Sequence, residues 1–493
     1  MLESLPGFGS GWTRSRDVRR ALHRAGEDVV RSRGQLVVAG AGVIGAILLA
    51  GTITAKGPFL PLIAIAALGS LVAVAARPQL GAYLLIASTP LVAGINRGGA
   101  VPAIRPNEGL LMIVAAALFM RFALRVRTQG LRFRPSHIDI AITAMCITSS
   151  IVPLLWMGIR AHVIEHDDIL YSLMIWKYYL IFAVFRSSIH TIRHVRICLW
   201  LSLCSAAIVA SLAMMQSFGV GTVAHVLTTY YAPYGNVDAV NGSGRAGATL
   251  GLPIAVADLL IFNIAVAAGL ITTGSRHRAL LCLMAFFFVI GVFAAGEFSG
   301  VIGLAIAVLV IAILTRRFSF LVWSMVPVVT AAIALRPVIE RRLQGFQSPS
   351  GLPTSWEGRL HNLENYFWPE LFSGNSWILG IRPAARVVAQ RLATGYVWIE
   401  SGYTWLLWAG GVPLLLATLY FFWVAGRDSA RLARRRPDEI GAAAVSVMTT
   451  ITVIAILMVL DPHLTYRGSA DLLFALLGLT ATGRSLPARD PAR

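Results

Sequence analysis

Apolar runs of roughly 16 to 25 residues recur along almost the whole chain, and that is the length a helix needs to cross a hydrocarbon core. Lipid offers backbone N–H and C=O groups no partner, so such runs leave the chain little to build with except helices. About fourteen spans follow from hydropathy, from Gln35–Thr54 to Asp471–Ala481, with Gln79–Ile95 and the last the weakest. The expected architecture is all-α, a polytopic integral membrane protein with about 12 to 14 transmembrane helices and one large extracytoplasmic loop. Composition agrees: 57% of residues are hydrophobic and 13% charged, against about a quarter charged in a soluble domain.

A net charge of +19 would suit nucleic acid, but no basic domain interleaved with aromatics is present to receive it. The charge follows the spans instead. Placing the arginine-rich N-terminus in the cytoplasm puts about 28 of the 42 Lys and Arg on that side. Every second short loop is then basic: Arg121 to Arg134, Arg186 to Arg196, Arg316 with Arg317, and Arg427 to Arg436. Both termini fall in the cytoplasm, and the expected location is the inner (cytoplasmic) membrane. The chain divides into a basic N-terminal segment (1–34), a transmembrane bundle (35–335), an extracytoplasmic loop (336–402), C-terminal transmembrane helices (403–483) and a cytoplasmic tail (484–493). About 34 polar residues precede the first apolar run, so no cleavable signal is expected. Trp12 to Arg33 reads either as a basic amphipathic helix on anionic headgroups or as a plain basic tail. Cys146, Cys198, Cys204 and Cys282 all lie in spans, which argues against disulfides and cysteine metal sites.

The long loop is where chemistry is expected. A reaction outside the cytoplasm has no ATP or nucleotide sugar to draw on, so its donor must arrive activated. A lipid-linked pyrophosphate serves, and cations at the bilayer surface must then stabilise the departing charge. Arg336, Arg341, Arg342, Arg359, Arg382, Arg386 and Arg391 lie in the loop against Glu340, Glu357, Glu364, Glu370 and Glu400, many of them ordinary solvated charges. Arg359, His361 and Asn362 precede Tyr366, Phe367 and Trp368, and aromatics beside polar groups suit a sugar-binding or interfacial surface. Gly242-Ser243-Gly244-Arg245-Ala246-Gly247 has the letters of a dinucleotide fingerprint but no preceding strand. It reads either as a glycine turn or as a helix start whose free amides, with Arg245, receive a phosphate. The loop ends in Trp398-Ile399-Glu400-Ser401-Gly402-Tyr403. A carboxylate beside Trp398 and Tyr403 at a membrane mouth should have a raised pKa, which suits a general base for a sugar hydroxyl. A plain helix-start charge is the other reading.

In order along the chain, Arg245-Ala-Gly-Ala-Thr-Leu-Gly-Leu-Pro, then Gly358-Arg359 with the Trp377-Ile378-Leu379-Gly380-Ile381 turn, then Glu400-Ser-Gly-Tyr-Thr-Trp-Leu-Leu-Trp-Ala-Gly-Gly-Val-Pro resemble the O-antigen ligase and polymerase family. The likeness covers roughly Gly242 to Val424. It implies a C-type glycosyltransferase-like fold and a polyprenyl-pyrophosphate-linked glycan as donor. It also implies an enzyme that works without a metal, with Arg245 and Arg359 on phosphate; in-line displacement would then invert the anomeric carbon, and no other cofactor is expected. Family ligases carry a His-Asn pair where this chain has Glu400-Ser401. That difference favours the polymerase branch, which builds O-antigen or exopolysaccharide, with Glu400 as the base. His361-Asn362 has the letters but lies about forty residues early, and ranks second. Arg341, Arg342, His361, Tyr403, His463 and Arg467 are the substrate-binding candidates. The expected partners are the lipid-linked glycan, membrane lipid, and a chain-length regulator and flippase of the same pathway, but no nucleic acid. Two alternatives stay open: a ligase with another acceptor, and a polysaccharide flippase or secondary transporter. The arginine-rich loop argues against a transporter, which places its ionisable groups near the midplane.

Inside the spans, Lys177 needs a partner or a wet cavity, and Asp258 is the best-placed candidate. His162 and His166 are spaced for a metal beside Glu165, Asp167 and Asp168, but no third ligand is forced. Asp461, His463, Arg467 and Asp471, in the last external loop, either line the mouth that Glu400 occupies or cap two spans.

Overall fold

The computed structural model describes residues 59–95, 105–129, 135–231, 245–346, 353–388 and 395–482. The expected span Gln35–Thr54, the Trp12–Arg33 segment, Gly242 to Gly244, Arg391 and the 484–493 tail lie outside the described residues. The chain forms two compact units. In the smaller, Phe59–Ala76 and the part of Pro106–Gln129 from Ile113 onward meet where Arg121 Nη1 donates to the Ala75 carbonyl at 3.1 Å. That bond satisfies one of the carbonyls a helix end leaves open.

Among the described residues nine helices are long and apolar enough to cross a membrane, and four apolar helices are shorter, including Gln79–Val92, Ser319–Ala334 and Ser469–Thr482. The protein is an all-α, polytopic membrane protein. Among the described residues it departs from that description at one small antiparallel pair of strands, Arg386–Val388 with Tyr396–Trp398, which hydropathy does not foresee.

Pro253–Thr272 is the interior helix of the larger unit, 94% of its apolar window buried. Apart from Asp258 and Asn263 it is apolar on nearly every side, which in a bundle means a helix covered by neighbours. Its start is displaced from the expected Ala248. Ala248–Leu250 form a 3-10 turn, Gly251 takes φ 71°, and the α-helix begins at Pro253, whose fixed φ and missing N–H suit a first turn. The helix packs against Ile192–Ser217, Arg278–Ala295, Phe298–Thr315 and Glu439–Leu457. Contact with the last is close: a Cβ on Gly269 would lie 2.6 Å from the Ala442 carbonyl oxygen. Small residues at such crossings hold membrane helices together by backbone proximity.

The span expected at Tyr403–Val424 is the start of a longer helix, Gly402–Arg435, broken at Gly411 (φ 64°, ψ −160°). The break frees backbone groups, and the long loop takes them. Val412 N–H donates to the Trp377 and Ile378 carbonyls at 3.1 Å, and Ile381 N–H donates to the Trp408 carbonyl at 2.7 Å. A Cβ at Gly411 would sit 2.3 Å from the Ile378 oxygen, so only glycine permits the dock. The Trp377–Ile381 turn is therefore a plug in a broken helix. Two loop arginines secure it: Arg382 binds the fully buried Asp168 through Nε at 2.9 Å and Nη2 at 2.7 Å, and Arg386 pairs with Asp167. The acids beside His162 and His166 are thus loop anchors. Among the described residues no group of three or more His, Cys, Asp or Glu is placed to hold a metal.

Lys177 does not pair with Asp258. Its Nζ lies 2.8 Å from Asp471 Oδ1 and 4.5 Å from the centre of the Tyr178 ring, while Asp258 Oδ2 is 2.8 Å from His463 Nδ1. Helical rise puts Lys177 and Asp258 at similar depths, but depth alone does not say which helices touch. Met174–Ser188 packs chiefly on Ser469–Thr482, so its lysine meets the aspartate there.

Candidate functional site

A cleft of about 260 Å³ gathers residues from five parts of the larger unit. Arg245 precedes the 3-10 turn, and its neighbour Ala246 donates its N–H to the Ala294 carbonyl at 3.3 Å. Gly296 ends Arg278–Ala295 in the left-handed region (φ 65°), reversing the chain into Glu297, the N-cap residue of Phe298–Thr315. Glu297 makes no side-chain cap bond. Its buried carboxylate pairs with Arg245 and lies 3.8 Å from Arg342 Nη2, which comes from the short helix Arg336–Leu343. The Arg342 guanidinium sits 4.9 Å from the centre of the Phe298 ring. Across the cleft, Arg359 of Thr354–Asn362 reaches Asp461 Oδ2 with Nη1 at 2.6 Å and stands 3.8 Å, through Nε, from Glu400 Oε1.

Glu400 is not the cap of the helix that follows it. Ser401 is, accepting from Thr404 N–H at 3.4 Å, while the Glu400 carboxylate faces Arg359 and the Asn362 side chain. Burial raises its pKa above the ordinary carboxylate value. Arg359 opposes that rise and the Asp461 charge adds to it. Burial likewise raises Asp461, against the pull of Arg359. Burial, with Arg342 and Arg359 close by, pushes the Arg245 guanidinium down to about 10, still protonated at neutral pH.

Three guanidiniums therefore face three carboxylates, and with all of them ionised the cleft is balanced, not simply cationic. Among the described residues, Arg245 Nε and Arg342 Nε are both buried without a hydrogen-bond partner. Buried polar groups normally find partners. Both guanidiniums line the cleft, and a guanidinium is suited to an oxyanion ligand. The start of Phe298–Thr315 also lines the cleft through Phe298 and Ser299, and the first amides of a helix lack intrahelical acceptors.

The structure brings Glu400, Arg245, Arg359 and Arg342 together. The side chain of Arg341 lies outside the described residues. Four other candidates do not line the cleft. His361 is exposed, its Nδ1 3.1 Å from Asn365 Nδ2, because helical periodicity turns it away while Asn362 faces in. The Tyr403 hydroxyl donates to the Ala455 carbonyl at 2.6 Å, tying two helices together. His463 is fully buried against Asp258, and Arg467 carries its charge near Tyr178. The helix start expected just after Arg245 is likewise displaced, since the one that lines the cleft belongs to Phe298–Thr315. Glu297 had no part in the expected site, although it showed one legible signal: an acid in the short link between two apolar runs.

Fold and site together define a multi-pass α-helical membrane protein with an arginine and carboxylate cleft formed by the segments that link its spans. Compared with family models, curated proteins and solved structures, the chain has no match.

Proposed function

We propose that this protein is an inverting, metal-independent glycosyltransferase that joins polyprenyl-pyrophosphate-linked oligosaccharide units on the extracytoplasmic face of the membrane, a polysaccharide polymerase. The observation that carries this reading is the convergence of Arg245, Arg342 and Arg359 with Glu400 on one cleft, from positions more than a hundred residues apart at the extremes. An acceptor sugar hydroxyl attacks the anomeric carbon of the donor. The new C–O bond forms as the bond to the pyrophosphate oxygen breaks, the leaving group keeps the electron pair, and Glu400 takes the hydroxyl proton. The balanced charge of the cleft suits this step. As Glu400 becomes neutral, Arg359 loses one of its carboxylate partners just when negative charge grows on the departing pyrophosphate. Arg245 and Arg342, which line the same cleft, offer that charge their guanidiniums. Purified protein given a lipid-linked oligosaccharide should produce longer glycans. Transfer only to an unlike acceptor would make it a ligase, and no transfer with lipid flipping instead would make it a transporter.

The same reading makes the acid limb of kcat/KM a property of Glu400. Because its pKa is raised, activity should fall with decreasing pH from a point above the ordinary Glu value of about 4.3. Asp461→Asn removes a like charge and leaves Arg359 facing Glu400 alone, so the limb should move to lower pH. A pH profile that Asp461→Asn leaves in place would remove Glu400 from this role.

Sidedness is open to a labelling test. A cysteine at the exposed Ser373 should react with an impermeant thiol reagent in intact cells. Ser429 is a poor control because it is only 2% exposed and would stay silent on either side. Arg434 is exposed and should remain unlabelled until the cells are opened. Equal labelling of Ser373→Cys and Arg434→Cys in intact cells would reverse the orientation.

A further inference from the structure

A second cleft, of about 280 Å³, lies between the far part of Gly402–Arg435, the start of His137–Ser149 and the end of Ser469–Thr482. Arg427, Arg431 and Arg435 line it, four residues apart and so along one side of their helix. The 27 positions between Glu400 and Arg427 span on the order of 40 Å at helical rise, so this cleft is separate from the glycan site proposed above. Asp428 also lines it and holds Arg427, Nη2 to Oδ1 at 3.1 Å. Arg431 and Arg435 are exposed, and neither faces a carboxylate among the described residues.

The same helix continues toward its apolar part as Leu416, Leu419, Tyr420 and Trp423. Their spacing of three and four residues keeps them on the face that carries Arg427 and Arg431. These four side chains are exposed, Leu416 by 58% and Trp423 by 59%. Tyr420 and Trp423 stack with ring centres 6.1 Å apart, and the Arg427 guanidinium lies 4.7 Å from the Trp423 ring. One continuous face thus runs from aliphatic to aromatic to guanidinium. An anionic amphiphile presents the matching order: acyl chain, interfacial region, phosphate. A basic loop that only sets orientation needs neither a cleft nor this stripe below it.

We infer that the cleft binds the headgroup of an anionic phospholipid, with its phosphate at Arg431 and Arg435 and its acyl chains along Leu416, Leu419 and Trp423. Three arginines against one aspartate supply the charge, and the lipid-facing stripe selects an amphiphile over a soluble anion. Purified full-length protein in detergent, titrated with phosphatidylglycerol or phosphatidylcholine and read by native mass spectrometry, tests it. Phosphatidylglycerol should be retained in preference to phosphatidylcholine. An arginine beside an anionic headgroup contributes roughly a factor of five, so R431Q should weaken retention by about that much and R431Q/R435Q by about 30-fold. R434Q removes the same charge from an exposed position outside the cleft and should leave retention unchanged. All three side chains are exposed, so the variants should fold. Equal retention of the two lipids would overturn the inference, as would R434Q being as damaging as R431Q. Complete displacement of the lipid by inorganic phosphate would also overturn it, making this a soluble-anion site.

Discussion

Glu400→Gln should lower turnover by roughly 10² to 10⁴, the range associated with losing a general base, while the protein stays folded and donor binding is largely kept. Glutamine keeps the size of the side chain and can still bond Asn362, but it cannot take the proton of an attacking hydroxyl. Glu400 is partly exposed at the mouth of the cleft, so the substitution leaves no buried cavity. It does leave Arg359 with Asp461 as its one carboxylate partner among the described residues. The comparison that matters is with the arginines. Arg245→Lys and Arg359→Lys keep the charge and lose the planar fork, so they should lose rate through the leaving group, without abolishing the acid limb. His361→Ala should be close to wild type, because His361 does not line the cleft. A Glu400→Gln enzyme that elongates glycan normally, beside an inactive His361→Ala, would move the base to His361.

The second large effect concerns stability. Lys177→Met should destabilise the protein by roughly 3 to 5 kcal/mol, because it leaves the Asp471 carboxylate buried without its counter-charge. Adding Asp471→Asn should recover most of that loss. Asparagine still accepts the Gly468 N–H, which Asp471 Oδ2 receives at 3.0 Å, but carries no charge. Thermal unfolding of the four proteins in one detergent closes the double-mutant cycle, and strictly additive losses would refute the pair. Asp258→Leu combined with Lys177→Met should give no such recovery. Asp258 has its own partner in His463, and both side chains are fully buried, with Asp258 Oδ1 and His463 Nε2 unpaired among the described residues.

Much of the fold was legible in the residues. The Arg278–Ala295, Phe298–Thr315 and Glu439–Leu457 helices begin and end within a few residues of the apolar runs that announce them. Lipid gives a long apolar segment almost no other structure to adopt, so length and hydropathy suffice. The ends were less legible where backbone conformation decided them. Gly251 delays the Pro253 helix, and Gly411 breaks another helix to admit a loop turn whose amides and carbonyls find partners only across the chain.

The site was legible in part. A carboxylate before a span and arginines in an external loop pointed to Glu400, Arg245 and Arg359, since charge beside a membrane is rare enough to stand out. Which charges meet was not determined by the sequence. Arg382 and Arg386 have the same composition and setting as Arg342 and Arg359, yet they anchor the loop to Asp168 and Asp167. Lys177 had a plausible partner at equal depth and took another. The sequence by itself determined which segments are long and apolar enough to lie in lipid and where charge is allowed. The tertiary structure alone decided the pairings, because an ion pair forms over a few ångströms and depends on which helices pack side by side. Hydropathy carries no information about that choice.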